Sequence, residues 1–408
     1  MKLNSPHHLT YCTNIHPGES WDEVLTNLKT YVPNLKQRLS PDAPFGLGLR
    51  IANKATYPLL KGNTIAEFQQ WLDQEDLYVF TINGFPFGGF HRQVVKDHVY
   101  APDWTKPERV EYTLRLLKIL ADLLPTSSQI STSLDGGIST VPISYKLWWT
   151  TDAERKMVYQ QSSQNISEVA AQMHLVEAET GQHLHLDLEP EPDCVVENTR
   201  ELIDFYQEWL LPLGGGYLVA KYGITPTEAE AWLRRHIQGC YDTCHFALEY
   251  ENPLDALDQF KQAGINIGKI QLSAAIQVKL PADAEKRGEI GDRLRPFAES
   301  TYLHQVIERY PDGSLHHYPD LPAALSHLAS TPAVEWRTHF HVPIFLKDYQ
   351  AMESTQDHIQ QLLLGLTERS QCRHLEIETY TWDVLPPDMK LDISTSIQRE
   401  YEWVLAQL

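Results

Sequence analysis

His236-Ile237-Gln238-Gly239-Cys240-Tyr241-Asp242-Thr243-Cys244-His245 is the stretch on which the reading of this chain turns. His236 to Asp242 reads as a buried strand that ends on an acid, with a histidine three residues further on. Three more strand-like runs end in the same manner. His183 to Glu189 ends on Glu189, Ile267 to Ser273 carries Gln271 near its end, and His374 to Thr379 carries Glu378. Barrel enzymes place their chemistry at the C-terminal ends of parallel strands. Each of the four side chains offers an oxygen suited to a hard divalent ion. Glu189, Asp242, Gln271 and Glu378 are therefore the expected ligands of one metal, in the mouth of one barrel.

Outward from this stretch, strand-like and helical runs alternate over almost the whole chain. His8 to Cys12, Phe45 to Ile51, Leu77 to Asn83 and Gln129 to Leu134 supply four earlier strands. Ser20-Trp21-Asp22-Glu23 and Thr64-Ile65-Ala66-Glu67 have the form of capping boxes, in which a hydroxyl and a carboxylate satisfy free backbone N–H groups. Helices are expected over 107–124, 151–181, 196–211, 227–235 and 254–263, with a last one from about Ile393 onwards. Strands alternating with helices of this length argue βαβ units and a parallel sheet. Eight such units predict a (β/α)8 TIM barrel, here one domain over 1–408 with an elaborated insertion at about 274–345. Within the insertion, Pro311-Asp312-Gly313 separates two strand-like runs, and Asp-Gly is a strong hairpin signal. Trp336 to Val342 is a further strand-like run. Either it or His374 to Thr379 is the eighth barrel strand.

The 408 residues carry a formal net charge of -20. An acidic surface repels phosphate backbones, so nucleic acid is not an expected partner. The five cysteines are odd in number and form no CxxC pair, which points to buried thiols in a reducing compartment. Met1 to Thr10 has no apolar core of a signal peptide, and no window reaches the roughly 18 apolar residues of a membrane span. A cytoplasmic protein is expected.

Three further groups of residues are candidates for the substrate. His16, His91, His339 and His341 lie at or after strand ends, and the last two alternate so that both imidazoles share a face. Such a pair binds a transition metal or works as a general acid and base. Arg50, Lys96, Lys146 and Arg337 are candidate anion handles, the arginines in bidentate fashion. Solvated surface charge is the competing reading for each. Asn83 opens a glycine-rich aromatic loop running to His91, and Tyr380-Thr381-Trp382 offers a second aromatic wall. The oxygen-rich ligand set suits Mg or Mn in preference to Zn.

These residues resemble the xylose isomerase-like TIM-barrel superfamily, which includes sugar epimerases, hydroxypyruvate isomerase and the barrel AP endonucleases. The family pattern is a Glu on strand five, Asp-x-x-His on strand six, His or Gln on strand seven and Glu on strand eight. It is matched here by Glu189, Asp242 with His245, Gln271 and Glu378. The resemblance implies that His245 is a ligand or proton carrier beside the metal. More narrowly, the chain resembles the EboE family, the barrel component of a bacterial gene cluster for metabolite traffic often associated with cyanobacteria. That likeness rests on Leu9 to Glu19, Asn83-Gly84-Phe85-Pro86, Tyr241 to His245 and Glu378 to Trp382. It implies a small biosynthetic precursor as ligand and other members of the same pathway as partners. The insertion carrying His339 and His341 departs from a plain sugar isomerase and bears on substrate size.

Two functions fit. In one, a metal polarises a carbonyl of a small oxygenated metabolite while Glu189 and Glu378 remove and return a proton, giving isomerisation or epimerisation. In the other, the barrel is a carrier or scaffold that binds the precursor without chemistry.

Overall fold

The computed structural model describes residues 1–125, 130, 134–349, 352–387 and 390–408. Its strands are β1 (His8–Tyr11), β2 (Phe45–Arg50), β3 (Leu77–Asn83), β4 (Gly136–Thr140), β5 (Leu184–Leu188), β6 (Ile237–Asp242) and β7 (Ile267–Leu272). There follow β8 (Ala274–Lys279), β9 (Val306–Arg309), β10 (Leu315–Tyr318), β11 (Glu335–Val342), β12 (Asp348–Tyr349) and β13 (Met352–Ser354), and lastly β14 (His374–Ile377). An 8-stranded sheet has the order β1-β14-β7-β6-β5-β4-β3-β2, with parallel pairing throughout. A parallel bridge from Cys12 to Gly48 brings its two edges together, so the sheet curls into a nearly closed (β/α)8 barrel. Every residue of these eight strands is buried. Helices cover the outer faces, as parallel sheets require.

β14 is thus the eighth barrel strand, and Glu335–Val342 belongs elsewhere. It sits inside a second, antiparallel sheet of order β10-β9-β11-β8-β13-β12, built between β7 and β14. Gly313, at φ 86, makes the Asp-Gly turn between β9 and β10. β8 begins just beyond the end of β7, so this sheet stands directly on the C-terminal rim. β11 pairs with β8 and β9 and delivers its last residues over the barrel mouth.

Two local expectations are corrected. The predicted strand Gln129–Leu134 lies almost wholly outside the described residues, and the fourth barrel strand is Gly136–Thr140. The second capping box does not form. Asn63 occupies the cap position, Thr64 is the first helical residue, and its hydroxyl donates to Lys61 O at 2.9 Å. The Ser20–Glu23 box is present and opens the helix Trp21–Leu39.

Alternate residues of a strand face one side. On β5 and just past it these are His185, Asp187 and Glu189. On β14 they are His374, Glu376 and Glu378. The two series fill the lumen in three layers. His185 and His374 approach at the N-terminal floor, with ring centroids 5.3 Å apart. In the middle Lys269 Nζ donates to Glu376 at 2.9 Å and to Ser139 Oγ at 3.2 Å. Glu189 and Glu378 reach the mouth.

Candidate functional site

The mouth holds a cavity of about 490 Å³, counted with its open side, lined among others by Asn14, Asn83, Glu189, Glu191, His245, His339, His341, Glu378 and Tyr380. Phe85, Phe90, Tyr100 and Tyr302 give it aromatic walls.

Asp242 caps the short helix Thr243–Leu248. Its Oδ1 accepts from Cys244 N at 2.8 Å, His245 N at 3.2 Å and Ser273 Oγ at 2.5 Å. Those bonds aim Oδ2 inward, where it is buried without a hydrogen-bond partner. Glu189 Oε2 is likewise buried and unpartnered. Glu378 Oε1 accepts from Asn14 Nδ2 at 2.9 Å and Asn83 Nδ2 at 2.7 Å. Its Oε2 lies 3.6 Å from His341 Nδ1.

Three imidazoles complete the arrangement, and their orientation follows from their acceptors. His339 Nδ1 lies 2.7 Å from Gln305 Oε1, His341 Nδ1 2.9 Å from Glu378 O, and His245 Nδ1 3.0 Å from Pro190 O. A carbonyl oxygen only accepts, so each Nδ1 carries the hydrogen and each Nε2 is left with a lone pair. The Gln305 orientation is fixed in turn by its Nε2, which donates to Tyr100 OH at 3.3 Å and Pro192 O at 3.2 Å. His339 Nε2 and His341 Nε2 then face each other at 3.2 Å. Two lone pairs at that distance repel unless a cation or a proton lies between them. Burial first, then the neighbouring His245 and His341, holds His339 well below the usual imidazole range. Burial pulls His341 down to about 4 despite the Asp242 carboxylate. A proton is therefore disfavoured near neutrality. The Tyr380 hydroxyl, 3.4 Å from His339 Nε2, satisfies at most one of the two.

The carboxyls are strongly perturbed. Burial, followed by the charges of Asp242 and Glu191, raises Glu189 well above the carboxylate range. Burial, followed by Glu189 and Asp242, does the same to Glu378. Burial also pushes Asp242 up, but His245, His341 and the Ser273 hydroxyl outweigh it and leave this group lowered. Glu191 rises to about 7 through burial. Ligand atoms of Asp242, His245 and His341 lie within 4.8 Å of one another, as do those of Glu191, His245 and His339. These groups are able to hold a metal ion.

Of the residues expected from the sequence, the structure brings Glu189, Asp242, Glu378, His245, His339, His341 and Asn83 together. Gln271 departs from the expected shell. Its side chain lies 2.9 Å from Cys240 Sγ, outside the cavity lining. The candidate anion handles are committed to protein partners. Arg50 pairs with Glu19 at 3.0 Å, Lys96 with Asp320 at 2.7 Å, Lys146 with Glu197 at 2.7 Å and Arg337 with Glu335 at 3.0 Å. Of these only Lys96 lines the cavity. His16 lies outside the lining, bonded to Tyr11 OH at 3.0 Å and stacked on Tyr31. His91 and Trp382 are buried outside it too. Glu191 and Gln305 were not foreseen. The run Glu189-Pro190-Glu191-Pro192 carries a signal for the former, since an acid repeated beside prolines directly after a strand marks a fixed polar loop. Gln305 has no such signal.

The fold and cavity define a (β/α)8 barrel with histidines and carboxylates gathered at its C-terminal mouth. The chain matches no protein-family model and no curated protein. Among solved structures it is similar to the IOLI protein with a bound zinc atom, at 11% identity and TM-score 0.48, over 98% of this chain and 97% of that one. It is also similar to a xylose isomerase-like TIM barrel protein from Mycobacterium smegmatis in complex with magnesium, at 10% identity and TM-score 0.48, over 99% and 98%. A third is the probable 3-DHS dehydratase AsbF from Bacillus anthracis, at 10% identity and TM-score 0.43, over 97% and 98%.

Proposed function

We propose that this protein is a metal-dependent barrel enzyme that moves a proton on a small, neutral, polyhydroxylated metabolite, giving isomerisation or epimerisation. The facing Nε2 lone pairs of His339 and His341 carry the reading, because a divalent ion is what reconciles them. His339, His341 and His245 would hold that ion, with Asp242 Oδ2 as the available carboxylate oxygen. A nitrogen-rich set of this kind favours zinc or another transition metal over magnesium, which shifts the preference drawn from the sequence. A bound divalent ion supplies Lewis-acid polarisation of a substrate carbonyl.

The residues of the chain do the rest. Glu189, raised by burial and by its acidic neighbours, presents to the cavity a carboxyl that would exchange a proton with the ligand. Glu378 is fixed by two amide donors on Oε1, leaving Oε2 to exchange a proton. The aromatic walls exclude water and stack on a carbon skeleton. No unpaired cation lines the cavity among the described residues, so a neutral ligand fits better than a phosphate or carboxylate.

The resemblance to the EboE family supports a place in metabolite traffic, with other members of that pathway as partners. All five cysteines are free and buried, and no helix among the described residues is long and apolar enough to cross a membrane. A cytoplasmic setting is the one we propose on the cysteines.

The test takes small molecules co-purifying with the protein, identified by mass spectrometry, and incubates them with it in D2O. Deuterium entering the carbon skeleton, lost in Glu189→Gln, is the expected result. Tight binding with no exchange in either protein would instead favour the carrier reading, which the saturation of Glu378 Oε1 by two amides already lends some support.

A further inference from the structure

The opposite end of the lumen holds a second group of ligating side chains that the mouth does not use. Asp135 precedes β4, His185 lies on β5 and His374 opens β14. One ligand atom from each lies within 4.8 Å of the others. His374 Nε2 is 3.3 Å from Asp135 Oδ1, and His185 Nε2 is 3.8 Å from Asp135 Oδ2. Ligands about 2.0–2.1 Å from a tetrahedral zinc ion stand about 3.3 Å apart, so the spacing suits such an ion with little movement.

Orientation argues the same way. His185 Nδ1 lies 2.7 Å from Asp187 Oδ1. A carboxylate oxygen accepts, so Nδ1 carries the hydrogen and Nε2 presents its lone pair towards Asp135. This carboxylate–imidazole pair is the arrangement that orients metal-binding histidines and raises their basicity. His185 and His374 side chains are fully buried. His185 Nε2 and His374 Nδ1 have no hydrogen-bond partner, a costly condition for buried polar atoms. Asp135 is 21% exposed, which leaves an entry path from solvent.

Two glycines make room for the group. A Cβ on Gly137 would stand 2.7 Å from His185 Cε1 and 3.1 Å from His374 Nδ1. One on Gly268 would stand 2.0 Å from Asp187 Oδ1 and 2.5 Å from His185 Nδ1. The neighbouring strands are thus emptied around the pair. A third imidazole approaches the same carboxylate. His183 Nδ1 is 4.0 Å from Asp135 Oδ2, and its Nε2 faces Arg235 O at 3.2 Å, again leaving the Nδ1 lone pair inward. Arg373 Nη2 donates to Asp135 Oδ1 at 2.5 Å.

We infer that Asp135, His185 and His374 form a second divalent transition-metal site, of zinc type, at the floor of the barrel, with Asp187 orienting His185 and His183 as the candidate fourth ligand. The ion ties the start of β4, β5 and β14 together across the lumen. It is separate from the mouth and independent of any reaction there.

The full-length protein, stripped with chelator and dialysed, is titrated with zinc alone, and the bound metal is counted by mass spectrometry. His185→Gln combined with His374→Gln is expected to lose one zinc per chain relative to wild type. His339→Gln combined with His341→Gln should keep that equivalent, so failure of the mouth reading and failure of this one give different patterns. Where the floor variant does not fold, zinc-soaked crystals of the wild type decide. An anomalous-difference peak within ligand distance of His185 Nε2 and His374 Nε2 supports the site. An unchanged zinc count in the folded floor variant, or no peak there, means that Asp135 and the two histidines form hydrogen bonds only, and the inference is overturned.

Discussion

The mouth and the floor of this barrel are written by the same two strands in the same alternation, yet they present different chemistry. At the floor β5 and β14 contribute His185 and His374, and one further carboxylate, Asp135, joins them. At the mouth the same strands lead to Glu189 and Glu378, and the histidines come from elsewhere, His245 from the short helix after β6 and His339 and His341 from β11. The floor is made of barrel alone. The mouth needs the second sheet. An inserted sheet is free to vary without disturbing the strands, so the end of the barrel that carries the cavity is also the end that depends on added structure.

The two ends are separated by the buried pair Lys269–Glu376, both side chains fully buried and 2.9 Å apart. Removing one partner strands a charge in the lumen. Lys269→Met is expected to destabilise the protein by about 3–5 kcal/mol, the largest single effect here, and to weaken both ends together. Urea denaturation measures it. Lys269→Met with Glu376→Leu should recover most of the loss, because no charge is then left behind. Equal stability of the single and double variants would show that the layer does not act as a pair.

The same layers explain what the sequence disclosed. Glu189, Asp242 and Glu378 were legible because each ends a clear apolar strand, where period two places an acid on the lumen side. The hairpin at Asp312-Gly313 was legible from its turn chemistry. The floor was not. Gly136 and Gly137 break a strand pattern, so the pattern points to Gln129–Leu134 and away from the observed strand four, Gly136–Thr140. Gly137 fits the strand because His185, Asp187 and His374 occupy the space where a side chain would sit, and Gly136 because Leu184 and Leu120 do, a fact about contacts rather than propensity. The anion handles misled for a related reason. A sequence shows a cation but not its partner, and Lys96 finds Asp320 far along the chain.

A second difference between the ends is their response to pH. Glu400, on the last helix, accepts from Thr379 Oγ1 at 2.6 Å and Ile344 N at 3.3 Å, and so braces the mouth beside Glu378. Burial raises its carboxyl from 4.5 to about 7. The folded state therefore keeps this proton to higher pH than the unfolded chain. Its contribution is fully present below pH 4.5 and is lost as pH rises through 7. The change amounts to about 3 kcal/mol. Glu400→Gln should flatten the fall in stability between pH 5 and 8, as read from urea midpoints across that range. A slope identical to wild type would remove Glu400 as the cause.

The smallest expected effects sharpen the comparison most, because each end has one side chain that orients an imidazole from its Nδ1 side. Gln305 accepts from His339 Nδ1 at the mouth, and Asp187 accepts from His185 Nδ1 at the floor. Loss of such a partner costs about 10–100-fold in metal affinity, since the ring is then free to turn or change tautomer. Gln305→Leu should weaken zinc at the mouth and leave the floor unchanged. Asp187→Asn should do the reverse. Competition titration against a chromophoric chelator resolves the two affinities, and the crossed pattern is the decisive feature. If either variant weakens both ions equally, the ends are coupled through the middle layer. If neither weakens its own, the hydrogen bond to Nδ1 does not set the orientation of that ring.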